Sequence, residues 1–110
     1  MSTRTEKEFI TFLTPQFGIR AIAKIVRNYN KKYNLTTVRE IIQRWAPPVE
    51  NDTDSYIGAV CAKLGVEPNE PIDVLDDKVM VELVKAIIKH ENGPGEWYDD
   101  FTVQQGVEMA

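Results

Sequence analysis

The chain has 110 residues, 43% of them hydrophobic and 27% charged, which is the size and balance of one globular domain (residues 1–110) with a modest core and excludes a disordered polymer. One cysteine (Cys61) and one histidine (His90) exclude an intramolecular disulfide and a zinc site of the usual four-ligand kind, so no metal and no cofactor are expected. No apolar run approaches the ~20 residues needed to cross a bilayer, and the start, residues 2–8, lacks the apolar stretch of a secretory signal, so neither a membrane span nor an export signal is expected.

The net charge of −4 conceals an asymmetry. Residues 1–45 hold nine Lys/Arg against three acids, and residues 46–110 hold four against fourteen, giving +6 and −10. Such a chain can fold its acidic half over its basic half and leave oppositely charged faces for partners. The alternative is ordinary solvated helix surface. The acidic second half argues against nucleic acid as a partner, although Arg20, Lys24, Arg27 and Lys31 alternate with Tyr29 and Tyr33.

Residues 5–13 are ambiguous: Phe9, Ile10, Phe12 and Leu13 fit either a short helix face or a strand. Thr14-Pro15 is a clear helix start, a capping hydroxyl followed by proline at the first helical position. The spacing of Ile22, Val26, Tyr29 and Tyr33, widened by Ile19 and Ile25, predicts an amphipathic helix over 15–32. Gly18 near its start is a candidate for close packing. Thr37-Val38-Arg39-Glu40 has the capping-box pattern, and Val38, Ile41, Ile42 and Trp45 form one face of the short helix that follows.

The corner Arg44-Trp45-Ala46-Pro47-Pro48 joins the two halves. Pro47 ends the helix, since proline lacks the next donor and forces the residue before it out of the α region. Asn51, Asp52 and Thr53 are candidate caps for a third helix starting around Ser55, with Tyr56, Ile57, Val60 and Leu64 as its stripe and Gly65 as its C′ residue. Cys61 falls on this helix as a small buried hydrophobe. A fourth helix begins near Asp76 or Asp77 and carries the broad apolar face Val79, Met80, Leu83, Val84, Ile87 and Ile88. It stops at Asn92-Gly93, and a weaker helical stretch runs through Val103, Val107 and Met109. The expectation is an all-α, compact domain of four to five helices.

The sequence lacks a Gly-rich phosphate loop, a nucleophile elbow and a metal-ligand cluster. One carboxyl stands out. Glu91 lies in the last turn of the fourth helix, where the macrodipole favours cations, and burial there opposes its ionised form as well. A carboxylic acid kept protonated is what general-acid cleavage of a glycosidic bond requires. The plainer use of the same residue is as a surface glutamate before a glycine cap.

The run Thr14-Pro15-Gln16-Phe17-Gly18-Ile19-Arg20-Ala21, with Tyr29, Thr37, Ile41-Ile42, Arg44-Trp45-Ala46-Pro47-Pro48, Glu50-Asn51-Asp52-Thr53, Tyr56 and Ala86 to Gly93, resembles a family of small phage and prophage virion-associated structural proteins. The Trp-Ala-Pro-Pro…Glu-Asn-Asp-Thr segment is the most specific part. The end of the fourth helix, His90-Glu91-Asn92-Gly93, is also similar to the catalytic-glutamate helix of lysozyme-like and lytic-transglycosylase domains. The resemblance implies a lysozyme-like helical core acting on or near bacterial peptidoglycan, located in the virion or the host bacterial cytoplasm. Glu91 is then the candidate acid of a glycoside hydrolase or lytic transglycosylase. Trp45, Tyr56 and Trp97 are the candidate sugar-stacking aromatics, each with an alternative use as a core anchor. Glu50 and Asn51 are candidate substrate or partner contacts. Relatives of this kind carry an Asn-Pro-x-Asn-Ile-Arg segment ahead of the Phe-x-x-Phe region, and its absence here tilts expectation toward a non-catalytic form. The competing implication is a phage protein-binding module, either a virion component or an inhibitor of a host system, with other phage or host proteins as partners.

Overall fold

The fold is built from helices whose ends are written in capping residues. The computed structural model describes residues 15–48, 52–93 and 98–110, and among them all regular structure is helical. Helix α1 spans Pro15–Tyr33 and buries Gly18, Ile19, Ile22, Ala23, Val26 and Tyr29, the expected stripe without Tyr33 and with Ile25 only partly buried. Tyr33 stays half exposed, because the final turn of α1 runs past the core. Asn34 then takes a left-handed φ of 56°, and its N–H reaches back to the Asn30 carbonyl at 3.0 Å, as in an αL ending.

Helix α2, Val38–Trp45, has the full capping box: Thr37 Oγ1 accepts the Glu40 N–H, and the Glu40 carboxylate accepts the Thr37 N–H. Its buried face is Val38, Ile41, Ile42 and Trp45, as the spacing predicts. Helix α3, Thr53–Leu64, starts two residues ahead of the expected Ser55 because Asp52 supplies the cap, accepting the Ser55 N–H. Gly65 closes α3 with φ 71°, a left-handed conformation that costs a residue with a Cβ and costs glycine nothing. Cys61 is buried in this helix.

The loop after α3 is tied to the start of α2. Pro71 lies opposite Thr37 in an isolated antiparallel bridge, the Ile72 N–H donates to Thr36 O at 2.7 Å, and Arg39 Nε donates to Asn69 Oδ1 at 2.9 Å. Helix α4, Asp77–Asn92, is capped by Asp76 and buries Met80, Leu83, Val84, Ala86, Ile87 and Ile88. Helix α5, Asp100–Glu108, is capped by Asp99 and buries Val103, Gly106 and Val107. Met109, expected on the same face, is exposed because it follows the helix as its cap.

Helix α1 packs on α5, α4 packs on both α3 and α5, and α2 packs on α3. The closest approach falls at Gly106, where an added Cβ would stand 2.5 Å from Ile19 Cγ2 and 2.9 Å from the Gln16 carbonyl oxygen. Gly106 is thus a residue whose missing side chain sets a helix–helix distance, and Gly18 is buried in α1. Arg27 locks three elements: it donates to Val74 O at 3.0 Å, to Val107 O at 3.3 Å and to Asp77 Oδ1 at 2.9 Å. That last contact joins the basic first half of the chain to the acidic second half, whereas Lys63–Glu82 and Lys85–Asp100 pair within the second.

Candidate functional site

Where α2, α3 and α4 meet, one side chain from α2 and one from α3 converge on a carboxylate oxygen carried by α4. Trp45 is the last residue of α2, and its ring is wholly buried because it continues the stripe of Val38, Ile41 and Ile42. Tyr56 lies in the first turn of α3 and is 1% exposed. A buried indole N–H and a buried phenol must each find a partner, since leaving one unmade costs about 1–3 kcal/mol. They find each other and Glu91. Trp45 Nε1 donates to Tyr56 Oη at 3.0 Å and more distantly to Glu91 Oε2 at 3.3 Å, and Tyr56 Oη donates to the same Oε2 at 2.8 Å.

Glu91 reaches this point because it stands four residues after Ile87 and three after Ile88, on the buried stripe of α4. It is half-buried. Two donors offset the unfavourable position of a carboxylate in the last turn of a helix. Burial, and then the negative charge of Glu91, push the Tyr56 phenol well above its ordinary value, so it stays protonated and acts as a fixed donor. On its outer side Tyr56 is covered by His90, ring centroids 3.8 Å apart and planes at 24°. His90 itself is exposed. The turn beyond is held by Gly93, whose φ of 99° and ψ of 179° belong to a region open in practice to glycine alone.

The corner between α2 and α3 is locked from behind. Thr53 is 5% exposed and its hydroxyl donates to Ala46 O at 2.7 Å across the Pro-Pro segment. Of the residues nominated from sequence, the fold brings Trp45, Tyr56 and Glu91 together. Glu50, Asn51 and Trp97 lie outside the described residues, as do residues 5–13 and Thr14. From sequence Thr53 is a capping candidate and His90 a neighbour of Glu91, and neither is nominated as a site residue. For Thr53 the available signal was three adjacent capping candidates where a helix needs one. For His90 it was only adjacency to Glu91.

What the arrangement offers chemically is one carboxyl group, aimed by two fixed donors at one of its oxygens and half open to solvent. Among the described residues, no group of three or more His, Cys, Asp or Glu is placed to hold a metal ion. No described helix is long and apolar enough to cross a membrane.

No protein-family profile matches the chain. It is similar to Protein P5 of Pseudoalteromonas phage PM2, with 42% identity over 103 residues. The match takes in 93% of this chain and 61% of the relative, so the chain spans about three fifths of the length of the curated protein it matches. At that identity, over nearly all of its residues, the chain is a homologue of a phage protein.

Proposed function

We propose that this is a phage- or prophage-encoded, virion-associated protein whose helical domain acts on bacterial peptidoglycan, with Glu91 as the acid. The observation that carries this reading is the Glu91 carboxyl itself: half-buried in the last turn of α4, its Oε2 held by the Tyr56 phenol and the Trp45 indole. Two donors on one oxygen fix the plane of the group, so that a proton carried by the acid would lie in a set direction. General-acid cleavage needs such an oriented proton beside the glycosidic oxygen. A single oriented acid suits transglycosylase-like chemistry, in which the sugar's own hydroxyl displaces the leaving group. The roles of Trp45 and Tyr56 in this reading are to position Glu91, since both rings are inside. Homology to a phage protein supports the phage origin.

A second reading has its own observation. With Trp45 and Tyr56 fully enclosed, the triad also serves as a clamp that pins the α2–α3 corner to α4. In that case the domain is a non-catalytic module that binds another phage or host protein.

The two readings separate on Glu91→Gln. The amide keeps the shape and still accepts from Tyr56 but has no proton to give, so in the enzymatic case lysis of purified peptidoglycan falls by about 10²–10⁴-fold with the melting temperature nearly unchanged. Wild-type protein that leaves peptidoglycan turbidity constant sinks the enzymatic reading and leaves the binding module.

A further inference from the structure

The last turn of α2 sends two adjacent side chains to different places. Trp45 points inward to Glu91, whereas Arg44 lies outside, its guanidinium carbon 4.0 Å from the Tyr33 ring centroid and 5.5 Å from that of Tyr29. Successive helical residues project about 100° apart, so Arg44 leaves α2 on a different side from Trp45, toward the end of α1. Arg44 is exposed and Tyr33 is 49% exposed. Lys32, three residues after Tyr29 and next to Tyr33, is exposed on the same end of α1. Among the described residues neither Arg44 nor Lys32 has a carboxylate partner; the ion pairs are made by Arg27, Lys63 and Lys85.

An arginine stacked on an aromatic face keeps its in-plane fork of N–H donors, and stacking holds that fork in one orientation. The fork matches a carboxylate, which it binds through two parallel hydrogen bonds. A phosphate backbone calls for a longer basic track, and the −10 charge of residues 46–110 opposes one. What remains is a preoriented contact for a discrete carboxylate, one residue along the helix from the triad.

We propose that Arg44, set over the Tyr33 ring with Lys32 next to Tyr33 in the chain, binds the stem-peptide carboxylates of the peptidoglycan strand that Glu91 acts on. The proposal rests on the reading of that site as directed at peptidoglycan. It makes the substrate class the peptide-bearing glycan strand rather than a neutral glycan such as chitin, because only the former carries carboxylates on short peptides next to the sugar bond. Tyr33 is then a positioning residue for the Arg44 fork.

The test is co-sedimentation of the full chain with purified peptidoglycan sacculi, with glycan strands stripped of peptide by an amidase and then amidated at the lactyl carboxylate that the cleavage frees, and with chitin. Wild type, Arg44→Gln and Arg44→Lys are compared after their melting curves are shown to match. Wild type is expected to bind sacculi at least about tenfold more tightly than stripped strands, the ratio that a charge-assisted hydrogen bond supplies. Arg44→Gln is expected to lose that preference, and Arg44→Lys to regain part of it, having the charge without the fork. Equal binding to sacculi and stripped strands, or a preference that survives Arg44→Gln, overturns the proposal and leaves the peptidoglycan reading standing. Wild type that binds none of the three overturns both. An acidic polypeptide such as polyglutamate then serves as a further probe, and its capture through Arg44 would assign the fork to a protein partner.

Discussion

The Tyr56 hydroxyl donates a hydrogen bond to Glu91 at 2.8 Å while accepting the Trp45 indole N–H at 3.0 Å, so one buried oxygen satisfies two helices and aims a third. Tyr56→Phe removes only that oxygen and keeps the ring against His90. Hydrogen bonds to charged groups contribute about 1.5–3 kcal/mol, and the lower end applies here because Glu91 is half open to water. Urea unfolding should show this loss with the slope unchanged. Trp45→Ala, which empties a wholly buried site, should cost more, roughly 3–5 kcal/mol. Equal losses from the two variants would mean that hydrogen bonding rather than packing dominates the corner.

Gly106→Ala tests the approach of α1 and α5. Alanine gains up to ~1 kcal/mol in helix propensity over glycine. Its Cβ, however, would lie 2.5 Å from Ile19 Cγ2 and 2.9 Å from a backbone oxygen of Gln16, which cannot rotate away. Overpacking of this kind costs typically ~1–3 kcal/mol, so the net change is destabilising. A raised melting temperature would show that the two helices can part without loss.

Arg27 and Asp77 form an ion pair whose members should behave differently. The Asp77 side chain is 52% exposed, and Asp77→Ala should cost no more than about 1 kcal/mol. The Arg27 side chain is 18% exposed and also donates to the carbonyls of Val74 and Val107, of which Val107 keeps the Ala110 N–H, so Arg27→Ala strands the Val74 acceptor and should cost roughly 1–3 kcal/mol. Similar values for both variants would reduce Arg27 to its ion pair.

Stability should fall on acidification through the caps. The Thr36 N–H and then the Thr37 hydroxyl and N–H hold the Glu40 carboxyl below its ordinary 4.5, and the Thr102 hydroxyl and N–H hold Asp99 below its ordinary 3.8. A carboxyl with a lowered folded value contributes stability that is present above its unfolded value and is lost as pH falls through the folded one. The loss should therefore begin near pH 4.5 and continue below 3.8. Glu40→Gln and Asp99→Asn should flatten that part of a melting-temperature profile while lowering it at neutral pH. A profile unchanged in shape would place the acid sensitivity elsewhere.

Local chemistry made most of the helices readable without any structure. Pro15 opened α1, the Thr37–Glu40 box opened α2, Gly65 and Gly93 closed α3 and α4, and the apolar spacing gave the buried faces of α2 and α4. Each of these depends on residues within about four positions of one another, where backbone geometry leaves few choices. Glu91 was legible as a carboxyl at the wrong end of a helix for the same reason. The meeting of Trp45, Tyr56 and Glu91 was not legible, because it joins residues 11, 35 and 46 positions apart. Nor was the close approach at Gly106, or the choice of Asp52 as the α3 cap and of Thr53 as the lock on Ala46. Those outcomes belong to tertiary packing, in which a buried polar tip takes whichever partner the folded chain brings within reach.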